Sequence, residues 1–181
     1  MTIMVDSLLR QSTSSVSSSD PATILHHLER GIGETLQTVD GAGTVRTGLD
    51  IGLCACFPDR SVLIYSGAAM PLYVREADGR VNAVGGRRRS IKSNHRTPPK
   101  GFPNRELHTE GRVFSLVTDG FVDQPGGRNG RAYGTTRLTA FLRDVNLTDG
   151  DHTSSRWAAE FDDYRGDESQ RDDVLALSFV L

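Results

Sequence analysis

Cysteine is nearly absent from this chain, with two among 181 residues. Cys54 and Cys56 alternate along an apolar stretch, and neighbours two apart on one strand make a strained disulfide. With no further cysteine, a thiolate metal cage is excluded, and the pair reads as small strand residues. Long apolar runs are also missing. Nothing approaches the roughly 20 residues needed to span a bilayer, and no signal-peptide pattern opens the chain, so the expected location is the cytoplasm. A preponderance of one charge is lacking too. Lysine and arginine number 21 against 23 aspartate and glutamate, a formal net charge of -2, which argues against generic nucleic-acid binding. Hydrophobic residues at 36% and charged residues at 24% describe a somewhat polar soluble protein, long enough for one domain with a sizeable core.

What is present centres on Val113-Phe114-Ser115-Leu116-Val117-Thr118-Asp119-Gly120-Phe121-Val122-Asp123. The first five residues, rich in β-branched and aromatic types, predict a buried strand. It stops at an acid followed by glycine. Gly120 would let the chain turn with φ > 0 while leaving room beside the carboxylate, which is one way to aim an oxygen ligand at a cation. Asp-Gly between apolar runs is equally the commonest hairpin turn signal, and this stretch leaves both readings open.

The end of the chain supplies a second acidic strand mouth. Arg171-Asp172-Asp173 precedes Val174 to Leu181, an almost continuous apolar run that predicts a strand buried on both faces or nearly so. Unpaired buried carboxylates are costly, so acids at core-strand ends tend to be solvated, paired or metal-bound. Two such places suggest a convergent acidic site.

In this order the motifs resemble a known family. Ser115 to Asp123, then Tyr133-Gly134-Thr135-Thr136-Arg137-Leu138, then Arg171-Asp172-Asp173-Val174 look like the last third of the SpoIIE-like branch of the type 2C (PPM, metal-dependent) serine/threonine phosphatases. Upstream, Ser66-Gly67-Ala68-Ala69-Met70-Pro71-Leu72 resembles that family's AGHPPL segment, with alanine in place of histidine. The resemblance implies an α-β-β-α sandwich and phosphoester hydrolysis, in which two Mn²⁺ or Mg²⁺ ions held by carboxylates activate a bridging water. It implies Asp119 and Asp172 as metal ligands, Asp173 as a further contributor, Gly120 as the metal-site turn, and Arg171 as a residue orienting the acids. It also implies a phosphorylated regulatory partner of the anti-sigma-antagonist type, and a sensor module ahead of the domain in a longer protein.

The chain departs from the family where the early ligands are expected. The D-x-x-G-H-G string is missing, and Asp40-Gly41 and Asp78-Gly79 match only as dipeptides within turns. The expectation is therefore a single, partial phosphatase-like domain spanning residues 1–181, lacking its N-terminal part, with weak metal affinity and apolar sheet surface uncovered.

The remaining chain reads as α+β with antiparallel sheet. Met1 to Arg10 predicts a helix, Ser12 to Ser19 a flexible connector, and Asp20-Pro21 a helix cap and first-turn proline. Leu25, Leu28, Ile32 and Leu36 form the stripe of that second helix, weakened by Gly31 and Gly33, and the segment from Gly41 to Thr44 ends it. His26-His27 on it read as surface or boundary histidines, since adjacent helix positions do not face one another. Period-two patterning from Leu49 to Phe57, then Val62 to Tyr65, Leu72 to Arg75 and Val81 to Val84, predicts strands joined by tight turns. Helices follow at Thr135 to Asn146 and Thr153 to Tyr164. Between Gly85 and Arg105 lies a basic loop carrying Arg87, Arg88, Arg89 and Lys92. It reads either as a solvated surface loop or as a recognition loop for an anionic phosphoprotein. The second possibility gives the alternative function, a non-catalytic phosphoprotein-binding module using residues 87–105. A third reading is an unrelated α+β domain whose Asp-Gly pairs are only turns.

Overall fold

The computed structural model describes residues 2–15, 19–39, 48–91, 101–144 and 150–181. The elements in chain order are α1 (Thr2–Ser15), α2 (Pro21–Val39), β1 (Ile51–Phe57), a 3₁₀ turn (Pro58–Arg60), β2 (Val62–Ala68), β3 (Leu72–Arg75), β4 (Val81–Val84), β5 (Arg105–His108), β6 (Val113–Val117), α3 (Asp119–Val122), β7 (Pro125–Gly126), β8 (Arg131–Ala132), α4 (Gly134–Asp144), α5 (Gly150–Arg165) and β9 (Ala176–Phe179). The pairs between these strands are antiparallel among the described residues, so the α+β class follows the sequence expectation. The chain divides into two compact units, residues 1–71 with 85–108, and residues 72–84 with 109–181.

In the first unit, β1, β2 and β5 form a three-stranded sheet. Leu25, Leu28 and Ile32 of α2 are buried with Ala68, Ile91 and Phe102, and Leu49, Ile51 and Leu53 pack against them. This is the period-two face meeting the helical stripe. Cys54 and Cys56 remain free thiols, and burial, reinforced by the neighbouring Cys56, pushes Cys54 up to about 12. The predicted Ser12–Ser19 connector is corrected in its first half: α1 runs to Ser15, and Ser12 is buried. Gly31 has a role that propensity did not reveal. A Cβ there would lie 2.7 Å from Leu8 Cδ2, so glycine lets α1 and α2 approach closely. Val145, the segment ending α2 and Asp40-Gly41 lie outside the described residues.

The start of α2 is capped as expected. Asp20 Oδ1 accepts from Thr23 N at 3.2 Å and Asp20 Oδ2 from Thr23 Oγ1 at 2.6 Å. Asn104 adds a second clamp, donating to Asp20 Oδ1 at 2.7 Å and accepting from Ala22 N at 2.9 Å. Hydrogen bonding from Thr23, then Asn104, lowers the Asp20 carboxyl below its ordinary value.

The second unit holds a four-stranded sheet of order β4-β3-β6-β9. Tyr73, Val113, Val117, Phe121, Tyr133, Leu138, Leu142 and Trp157 form its core. The β3–β4 hairpin turns at Asp78-Gly79, where Gly79 has φ 83° and Asp78 Oδ1 accepts from Arg80 N at 3.0 Å. The last strand needs correction. The run Val174 to Leu181 predicts a strand buried on both faces or nearly so; the strand spans only Ala176–Phe179, at the sheet edge, with Leu175 67% and Leu177 51% exposed. Phe179 stacks on Phe114 with ring centroids 5.6 Å apart. An apolar run therefore records hydrophobicity without recording whether a neighbour covers it. An open groove of about 540 Å³ lies between β9 and α5, with Phe121, Trp157 and Phe161 in its lining.

Two outcomes follow. Asp20→Ala is expected to cost about 1 kcal/mol in urea unfolding at pH 7. A carboxyl with a depressed folded value stabilises above its unfolded value and loses that contribution as pH falls through the folded one, so the penalty should shrink below about pH 4. Leu177→Thr is expected to leave stability within about 0.5 kcal/mol while lowering fluorescence of a bound naphthalene sulfonate dye, because the side chain it trims is exposed.

Candidate metal site

The site is built on the end of β6. Thr118 continues the strand with φ -72° and ψ 158°, and the chain then enters the single turn of α3. Asp119 is therefore not at a hairpin tip: the Asp-Gly hairpin reading is replaced by a helical turn in which Asp123 N donates to Asp119 O at 2.7 Å. Phe121 anchors that turn. It is buried and meets Tyr133 and Trp157 edge-on, at 5.1 Å and 5.2 Å, contacts that add to area burial.

Thr118 latches the acid-bearing segment ahead of β9 onto this turn. Thr118 N donates to Leu175 O at 3.0 Å, Leu175 N donates to Thr118 Oγ1 at 2.9 Å, and Thr118 Oγ1 donates to Asp173 O at 3.2 Å. The hydroxyl is thus spent across the sheet rather than on capping α3.

Gly120 completes the approach through one of the two roles its sequence context suggests, the room it leaves. Its φ is not among the positive ones, so a left-handed turn is not what requires it. A Cβ at this position would lie 2.4 Å from Asp173 O and 3.2 Å from Asp172 Cβ. Glycine is needed because the backbone of Asp172-Asp173 occupies the space a side chain would take. The structure therefore brings Asp119 and Asp172 together from segments more than fifty residues apart in sequence. Both carboxylates, and that of Asp173, are exposed. Each of the first two accepts from the following amide, Asp119 Oδ1 from Gly120 N at 2.9 Å and Asp172 Oδ1 from Asp173 N at 2.8 Å.

The donor chemistry suits a hard divalent cation, which prefers oxygen ligands, while the number of donors is small. Among the described residues no group of three or more histidine, cysteine or acidic side chains is placed to hold a metal ion. These acids fit part of a coordination shell, with water or further ligands left to complete it. Arg171 does not orient them: it is exposed, and no salt bridge joins it to Asp119 or Asp172 among the described residues. The neighbouring Gln170 does the local work, donating from Nε2 to Asp172 O at 2.8 Å. Asp162 pairs with Arg165 at 3.0 Å on the exposed end of α5.

The Tyr133-to-Leu138 motif serves packing. Tyr133 Oη donates to Glu160 Oε1 at 2.6 Å, burial and this carboxylate push the phenol up, and the Arg137 guanidinium lies 5.0 Å from the Tyr164 ring centre.

The basic stretch lies in the first unit and is only partly a free loop. Arg87 Nε donates to Gly101 O at 2.9 Å, and its backbone bonds to Gly67 and Ala69. Arg89 forms a two-pronged ion pair with Glu29 of α2 and covers the Phe102 ring at 4.7 Å. Arg88 is exposed, Lys92 lies outside the described residues, and Arg105 opens β5, a strand the basic composition had concealed.

No protein-family model matches the sequence, and no curated protein sequence matches it. Solved structures do match. The SiaA-PP2C domain of Pseudomonas aeruginosa is similar with TM-score 0.86 and 29% identity, over 99% of this chain and 68% of that one. The phosphatase domain of SpoIIE from Bacillus subtilis, with a fragment of its regulatory domain, gives TM-score 0.69 at 12% identity, over 96% of this chain and 48% of that one. RsbX in complex with magnesium gives 0.59 at 10% identity, over 96% and 71%. The chain thus spans about two thirds of the first neighbour and about half of the second. The fold is that of the type 2C, or PPM, phosphatase domains.

The close approach at Gly120 yields a test. Gly120→Ala is expected to destabilise by about 1–3 kcal/mol, because the atom it meets is backbone and cannot swing aside. Amide chemical shifts at residues 172–175 should move with it, and a variant as stable as the parent would contradict the described packing.

Proposed function

We propose that this chain forms part of a metal-dependent serine/threonine protein phosphatase site, with Asp119 and Asp172 as ligands to Mn²⁺ or Mg²⁺ and Asp173 contributing beside them. The observation that carries the reading is the contact of Gly120 with the Asp172-Asp173 backbone, which holds two exposed carboxylates at neighbouring strand ends. The type 2C fold supports it, as does the magnesium held by the similar RsbX.

When bound, the divalent ion supplies Lewis-acid stabilisation of phosphoryl oxygens and a water of lowered pKa. The chain's own residues position that ion: Thr118 fixes the β6 end, Phe121 roots the α3 turn in the core, and Gln170 holds the Asp172 backbone. Two or three carboxylates leave most of the shell to water, so affinity of this chain alone is expected to be weak. The substrate in this reading is a phosphorylated serine or threonine on a regulatory protein of the anti-sigma-antagonist type, in a longer protein that carries a sensor module. The phosphoprotein-binding alternative draws less support, because Arg89 is committed to Glu29 and Phe102.

The test is hydrolysis of p-nitrophenyl phosphate at millimolar Mn²⁺. Loss of several kcal/mol of transition-state stabilisation corresponds to a drop of about a hundredfold or more, and that is the expected effect of Asp119→Asn. Mn²⁺-dependent hydrolysis undiminished in this variant would overturn the assignment. A chain that neither hydrolyses the ester nor binds Mn²⁺ would overturn the function.

A further inference from the structure

We propose that Gln124 is a positioning residue that ties the Asp172 segment to the Asp119 turn and so sets the spacing of the acid pair; this rests on the reading of those acids as a divalent-cation site. Asp172 sits on the stretch between α5 and β9, where residues 166–173 are all exposed. A segment so placed has little apolar burial to hold it. Gln124 lies on the other partner, just beyond α3, and is 1% exposed.

Its amide nitrogen reaches in two directions, donating to Pro125 O at 2.9 Å and to Ser169 O at 3.1 Å. Ser169 precedes Asp172 by three residues. Two carbonyl acceptors fix which end of the amide is nitrogen, since the flipped group would set its oxygen against both. The backbone of Gln124 is itself anchored, its carbonyl accepting from Tyr133 N at 2.9 Å. The tether therefore runs from the core to the exposed acid segment.

The other end of the side chain makes this arrangement costly. Gln124 Oε1 is buried without a hydrogen-bond partner, and an orphaned buried acceptor costs about 1–3 kcal/mol. An apolar side chain of similar length would fill the same volume without that cost. A buried amide kept under these terms points to what its donor end holds. Here that is the carbonyl of a loop whose carboxylate must stay near another of like charge. The glycines that follow pack against the end of α5 just before this segment: Gly127 N donates to Tyr164 O at 2.8 Å, and a Cβ on Gly126 would crowd that oxygen.

The experiment titrates the chain with Mn²⁺ alone and reads paramagnetic broadening of amide signals at residues 119–120 and 172–173, with melting temperature followed in parallel. Gln124→Met removes the donor and the orphan together, so its melting temperature should hold or rise. Its Mn²⁺ midpoint should rise about tenfold, the usual scale for losing a group that orients a ligand, and amide exchange at residues 169–173 should quicken. Gln124→Asn, polar but too short to span, is the second variant and should shift the midpoint the same way. Broadening in the parent with unmoved midpoints in both variants would overturn the role of Gln124 and leave the cation site standing. Absence of broadening in the parent, shared by Asp119→Asn, would overturn the cation site and this inference with it.

Discussion

Two lengths of backbone touch at Gly120, and the rest of the second unit is arranged so that they can. The carbonyl of Asp173 occupies the place a side chain would need, and Thr118 spends both its amide and its hydroxyl on the same partner segment. These contacts are polar and lie near solvent, so taken singly each is worth little, about 1 kcal/mol or less net. They hold because both sides are built on β6 and β9, whose register sets Val117 against Ala176. A residue shift in that register would turn every side chain to the other face and separate the acids.

Beneath this contact the aromatic cluster supplies the rigidity. Phe121 follows Gly120 directly and enters the core among Tyr133, Trp157 and Phe161. The α3 turn is too short to be stable by itself, and this one ring fixes it. The acid at position 119 is thus exposed while the residue two places on is buried and holds the turn to the core.

The sequence carried much of this. The limits of β3, β4 and β6 follow from β-branched and aromatic runs bounded by turns, and α2 begins at the proline after its aspartate cap. The acid pair was legible as two strand mouths in a family-like order. Less legible were features set by neighbours. Gly31 looked like a weakness in a helix and is a point of contact with Leu8. Gly120 looked like a φ > 0 turn that also leaves room, and only the room is used. Arg87 and Arg89 looked like a loop's free charges, and their guanidinium groups meet Gly101, Glu29 and Phe102. β5 was hidden because Arg105 and Glu106 are polar on an exposed sheet position.

Local sequence determined which segments are strands and helices, because side-chain period and capping chemistry act within a few residues. It also determined which side chains are able to ligate a hard cation. Tertiary structure alone decided that Asp119 and Asp172 share one end of the sheet, that β9 is an exposed edge, and that Gln124 reaches Ser169. Those facts depend on groups distant in the chain meeting within hydrogen-bond or van der Waals range, and no local pattern encodes that distance.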